Sequence, residues 1–249
     1  MCVKPKNITA GSSFVAVCID LKGASMKILR AMAIATVIVI LFGLTSANAS
    51  PLAQSPKKLY NAQQKKDVTA WGAFATINWT DPPLNGGTYS DHRVAVLQSS
   101  PWRYGEIGWI KYSTGPETFV AYDSGGGNKS RVYSFTPGTH DYVLQYDPNT
   151  AEYWFYVDAN PIDNIALNFS SGTYVAAGGE VWDGVESMGQ TELSDLGYIA
   201  NQGGNYIPWN GYVPYIEEHP YCNISIDSNS FYDSECPYYI ALPLILNQQ

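Results

Sequence analysis

The chain is poor in charge, poor in histidine and holds only four cysteines. Asp, Glu, Lys and Arg together make up 14% of its 249 residues, and acids outnumber bases 22 to 14, for a formal net charge of −8. A protein that grips a phosphate backbone needs a basic footprint, so no nucleic acid is expected as a partner. The three histidines, His92, His140 and His219, show no metal-ligand spacing, and no Cys-x-x-Cys occurs. Neither a metal nor an organic cofactor is expected. No Gly-x-Ser-x-Gly elbow surrounds Ser99 or Ser100. No stretch keeps a 3.6-residue apolar period beyond two turns.

What is present begins with an export signal. Met26 opens a segment with Lys27 and Arg30, followed by the apolar run from Ala31 to Leu44 and the small-x-small triplet Ala47-Asn48-Ala49. That order reads as a secretory signal peptide cleaved after Ala49, with Met26 as the expected start. The run is too short, and too closely followed by the cleavage pattern, for a stable membrane span. Residues 1–49 are therefore read as a leader, 50–68 as a polar linker or short pro-segment, and 69–249 as one extracellular domain. In the oxidising environment outside the cell, the exported pair Cys222 and Cys236 is expected to form a disulfide across the polar loop between them.

Strand signals fill the domain. Val68 to Trp79, Val94 to Gln98, Ile107 to Tyr112, Phe119 to Tyr122 and Val132 to Phe135 are β-prone runs broken by Gly and Pro. Asp141 to Tyr146 and Glu152 to Val157 flank the turn tetrad Asp147-Pro148-Asn149-Thr150, a hairpin signature. Ile165 to Phe169 and Tyr174 to Trp182 complete the series. Short strands at regular spacing predict an all-β fold, an antiparallel β-sandwich of the concanavalin or jelly-roll kind.

Two carboxylates stand out. Gly178-Gly179-Glu180-Val181 places a Glu among glycines and apolar neighbours, and Tyr104-Gly105-Glu106-Ile107-Gly108-Trp109 places another at a strand entry. Partial desolvation raises a carboxyl pKa and fits it for proton transfer. Two such groups in one cleft divide the roles of base and acid. The plain alternative for Glu180 is a strand-end Glu facing water.

These motifs carry a resemblance. Gly72 to Asn78, Glu106-x-Gly-Trp109, Phe119-Val120, Gly178-Gly-Glu-Val181 and Met188-Gly189 occur in the order seen in the neprosin domain, a family of secreted glutamic peptidases built as β-sandwiches. The resemblance covers roughly residues 70–200 and implies catalytic roles for Glu106 and Glu180. Eqolisin peptidases, distantly similar, pair a Gln with a Glu, which brings Gln98 into consideration. The chain departs from the plant members in having no cysteine between Cys18 and Cys222, only about twenty residues ahead of the sandwich, and Gln190-Thr191 after Met188-Gly189.

The paired carboxylates and the resemblance together lead to the expectation of a secreted endopeptidase, a monomer acting on polypeptide at acidic pH, with Trp109 and Trp182 desolvating the site and, with Gln98, binding substrate. The competing reading is a sandwich that binds carbohydrate or peptide without catalysis, or one that acts on glycans. Trp154-Phe-Tyr-Val-Asp158 resembles a strand common in lectin-like sandwiches, though a core strand with a turn accounts for it better. Asp183 and Glu186 resemble the clustered carboxylates of sandwich-fold glucanases, but the spacing is wrong, since Glu180 and Asp183 fall on opposite faces of a strand. The aromatic stretch Tyr206 to Tyr215 suits a groove for an extended peptide or a sugar, or simply a core.

Overall fold

The computed structural model describes residues 59–84, 89–182 and 187–236. The chain divides into two units, 1–54 and 55–249, and all described residues belong to the second. Residues 85–88, and Asp183 and Glu186, lie outside the described residues.

The strands are β1 Leu59–Ala70, β2 Gly72–Asn78, β3 Tyr89–Ser99, β4 Trp102–Tyr112, β5 Gly115–Asp123, β6 Lys129–Tyr133, β7 Thr139–Asp147, β8 Glu152–Val157, β9 Asn160–Ile165, β10 Gly172–Trp182, β11 Thr191–Ile199, β12 Tyr206–Pro208, β13 Val213–Glu217, β14 Tyr221–Asp227 and β15 Ser230–Glu235. They form two antiparallel sheets. One has seven strands in the order β13-β1-β10-β3-β4-β5-β6; the other has eight, β14-β15-β11-β2-β7-β8-β9, with β12 against β11. The fold is all-β, a β-sandwich.

Alternation along each strand builds the core. Val94, Val96, Ile107, Trp109, Val120, Val175 and Ala177 from the seven-stranded sheet meet Ala73, Ala75, Ile77, Tyr142, Leu144, Tyr153, Phe155 and Leu193 from the other. Each fully buried large side chain contributes about 1.5–3 kcal/mol by leaving water. The residues between them in sequence face outward, and on the seven-stranded sheet that outward face carries the carboxylates.

Several boundaries differ from the sequence reading. Residues 59–68 are not a linker: they form most of β1, which lies between β10 and β13. Asn61, Gln63 and Gln64 are buried there although polar, which is why composition alone reads the segment as linker. The run from Val68 to Trp79 is two strands, because the chain crosses from one sheet to the other at Trp71. Glu106 sits mid-strand in β4, not at an entry. The segment from Asn223 to Glu235 is no loop but the β14–β15 hairpin.

Candidate active site

β3 runs between β10 and β4, so its outward residues separate the two Glu-bearing strands. Register places Glu180 opposite Asp91, Gly178 opposite Arg93 and Ala176 opposite Ala95 on one side. On the other side Ile110 faces Asp91, Gly108 faces Arg93 and Glu106 faces Ala95. Arg93 is therefore flanked by a glycine on each neighbouring strand, with one glutamate on each diagonal.

The two glycines are required by backbone packing as well. A Cβ on Gly108 would lie 1.9 Å from the His92 carbonyl oxygen, and one on Gly178, where φ is +147°, would lie 2.2 Å from that of Ala62. With no side chains on either side, the guanidinium spreads between the diagonals. Arg93 Nε lies 2.9 Å from Glu106 Oε2, and Nη2 lies 2.7 Å from Glu180 Oε2. Nη1 donates to Asp91 Oδ1. Tyr89 donates its hydroxyl to Glu180 Oε1 at 2.6 Å. Side-chain exposure is 16% for Glu106, 13% for Glu180, 10% for Arg93 and 4% for Asp91, so the cluster is largely desolvated yet open to the groove.

One cation among three carboxyl groups cannot balance three negative charges in a poorly solvated site. Protons make up the difference. Burial, reinforced by the charge of Glu180, pushes Glu106 up to about 7 against the opposing pull of Arg93. Burial likewise holds Asp91 well above the usual carboxylate range, despite the adjacent Arg93. Glu180, with one oxygen bonded to Arg93 and the other to Tyr89, is arranged as a hydrogen-bond acceptor at both oxygens.

A groove of about 400 Å³ passes over this cluster, bounded by Leu59, Tyr89, Trp102, Tyr104, Trp182 and Tyr215. Beside Glu106 its floor is apolar: Ala95, Leu97 and Ala176 line it and pack with Tyr174, Tyr104 and Tyr215. A second depression over Ile110, Ala121 and Ser130 shares Tyr89, Tyr104, Glu106, Asn128 and Glu180 with the groove, so the cleft extends to both sides of the carboxylates.

The structure brings Glu106, Glu180 and Trp182 together; Trp182 stacks on Tyr89 with ring centroids 6.1 Å apart. Trp109 does not join them. It lies three positions after Glu106 on the same strand, faces between the sheets, is fully buried and donates its indole N–H to the Asn78 carbonyl at 3.2 Å. Gln98 does not join either: its parity is that of the inward residues Val94 and Val96, it lies near the end of β3, and its amide reaches the Ser100 carbonyl. Arg93, Asp91 and Tyr89 escaped the sequence reading. The available signal was Asp91-His92-Arg93 running straight into Val94-Ala-Val-Leu97, consecutive titratable residues in a strand pattern.

Beneath the cluster His92 faces inward, fully buried against Trp109 at 4.7 Å between ring centroids. Burial holds its imidazole well below the usual histidine range, hence neutral. Its Nε2 lies 3.4 Å from Asp233 Oδ2, and a Cβ on Gly179 would come within 2.7 Å of the same nitrogen. The second glycine of the Gly-Gly-Glu motif thus leaves room for this ring. His140 bonds Asp158 and the Thr136 carbonyl and stands apart from the groove. Cys222 and Cys236 are free thiols; Cys222 hydrogen-bonds Cys236, and burial together with that contact pushes its thiol up to about 12. Among the described residues no group of three His, Cys, Asp or Glu is placed to hold a metal ion.

No protein-family model matches the chain, and no curated protein matches it. Solved structures do resemble it. Scytalido-glutamic peptidase, solved with a peptide-based transition-state analog, superposes with a TM-score of 0.50 at 9% identity, over 72% of this chain and 98% of that one. SCP-B, a member of the eqolisin family of peptidases solved with the tripeptide Ala-Ile-His, gives 0.47 at 9% identity over 72% and 98%. A Bacillus licheniformis beta-glucanase gives 0.36 at 14% identity over 52% of this chain and 66% of that one. At these identities the likeness is one of fold: the chain shares a β-sandwich with a glutamic peptidase.

Proposed function

We propose that this chain is an exported glutamic peptidase of neprosin-like type that hydrolyses peptide bonds in acid with Glu106 and Glu180. The observation that carries the reading is the joint attachment of both glutamates to Arg93 at the floor of an open groove. The fold shared with scytalido-glutamic peptidase and the two Gly-flanked Glu motifs support it.

The chemistry divides as the environments do. Glu180 is the base: it takes a proton from a water whose oxygen attacks the scissile carbonyl carbon. Glu106, protonated below about pH 7, donates a hydrogen bond to the oxygen that gains charge. When the tetrahedral intermediate collapses, the C–N bond breaks and the proton on Glu180 passes to the leaving nitrogen. Glu106 keeps its proton, and the resting state returns. Arg93 holds both carboxyl groups in place and balances the charge of Glu180. Trp182 and Tyr89 limit water on one side, and the apolar floor beside Glu106 receives a substrate side chain.

Incubation of the exported chain with a denatured protein at a series of acidic pH values, followed by peptide mapping, tests the reading. Cleavage products are expected. Their absence, together with release of sugars from a glucan under the same conditions, would favour the glycan-active alternative instead.

A further inference from the structure

The outward aromatics of β8 play no part in the groove. Trp154 and Tyr156 alternate with the buried Tyr153 and Phe155, so both project from the outer face of the eight-stranded sheet, on the side of the sandwich away from Arg93. Their rings stack, with centroids 6.4 Å apart and planes at 27°. Tyr206, 38% exposed, packs on Phe74 with centroids 5.5 Å apart. Phe74, Val143 and Tyr156 are register partners across β2, β7 and β8. With strands about 4.8 Å apart, the platform runs roughly 10 Å across the sheet from β8 to β2. At its Trp154 end lies a depression of about 420 Å³ lined by the two β8 aromatics with Gln145, Asn149, Asp147 and Gly203.

The chemistry of this surface narrows its ligand. No lysine or arginine lines the depression, so nothing there favours a phosphate, a sulfated glycan or an acidic lipid. The surface is a sheet face, and β7 and β8 each pair with a strand on both sides. An extended polypeptide therefore finds no free edge to join. What the surface offers is aromatic planes together with amide and carboxylate groups at one end. Rings of this kind cover the C–H face of a pyranose, and amides bond its hydroxyls. We propose that this face binds a neutral polysaccharide, independently of the carboxylate groove. It would hold the protein on a glycan matrix while the opposite face stays open to substrate.

Affinity electrophoresis of the intact chain through gels containing barley β-glucan, xyloglucan or glucomannan tests this, with sedimentation on cellulose and chitin for insoluble glycans. Retention by at least one of these is expected. Trp154→Ala and Tyr156→Ala should each weaken it about tenfold or more, a loss of at least about 1.4 kcal/mol. Both should keep the circular dichroism of the parent. Glu180→Gln should bind as the parent does, so the outcome does not depend on the peptidase reading. Retention by none of the glycans, or retention that survives both substitutions, overturns the proposal. Self-association of the parent that is lost in Trp154→Ala, without glycan retention, would give the face to a second copy and overturn it as well.

Discussion

Glu106 and Glu180 stand on strands separated by β3 and are bonded to two nitrogens of one guanidinium, at 2.9 and 2.7 Å. A carboxylate pair that shares only a water repels itself unless a proton intervenes. Here Arg93 supplies one positive charge between them, and a proton on Glu106 supplies the rest of the balance. The pair is thereby divided into an acceptor, Glu180, and a proton holder, Glu106.

Replacement of either glutamate by glutamine should remove activity while leaving the fold intact. Each is expected to lower kcat/KM at least about a hundredfold, the lower end of what general acid–base catalysis contributes. Because the two act as a unit, the double variant should be little worse than either single one. Peptide hydrolysis by purified variants with parent-like circular dichroism checks this. Activity retained in Glu106→Gln but lost in Gln98→Ala would reassign the partner.

Rate and stability should both favour acid. Activity is expected to fall as pH rises through about 7, where Glu106 loses its proton. Between the ordinary glutamate value of about 4.5 and about 7 the folded chain keeps that proton and the unfolded chain does not. The folded state thus binds more protons in this window, so stability falls as pH rises through it and recovers on acidification. Asp91 and Asp233, raised by burial, act in the same direction. Asp158 is lowered, the groups that lower it being the Asp141 N–H and His140, so its contribution is lost as pH falls below the ordinary aspartate range. Thermal melts should therefore show a higher Tm near pH 5 than near pH 7. A kcat/KM profile with its optimum above about pH 8 would remove the dyad from consideration.

Arg93→Met should be costly at neutral pH and less so in acid. Removing the partner of buried carboxylates typically costs about 3–5 kcal/mol. Protonation relieves that cost, so the destabilisation read from urea unfolding should shrink between pH 7 and pH 4. Gly178→Ala should fail for a different reason: strain at φ +147° and the contact with Ala62 together cost about 3 kcal/mol, without this pH dependence.

A Cys222–Cys236 bond is expected to form in the exported chain. The two residues lie at the open end of the β14–β15 hairpin and already touch. Closing a loop of about 15 residues contributes about 3 kcal/mol in the chain-entropy model. Mass analysis without reductant should find a chain two hydrogens lighter, and Cys222→Ser should lower Tm. Two free thiols in the exported protein would contradict it.

Period-2 alternation, the Gly and Pro breaks and the turn tetrad before β8 are local properties, and they were enough to read a β-sandwich from the sequence. The two Gly-flanked glutamates were legible for the same reason, since each motif is contiguous. Alternation says which residues of a strand share a face, but not which face becomes the core. The sequence therefore puts Trp109 beside Glu106, whereas it lies on the opposite side of β4, fully buried. Nor does it say which strands become neighbours. That β3 enters between β4 and β10 depends on pairings between distant segments, and only that placement sets Arg93 between the two glutamates. The polar β1 was illegible because its neighbours, not its own composition, bury it. The residue types of the site were thus written in the chain, while their charge balance was decided by strand order, because charges interact through space and not through sequence separation.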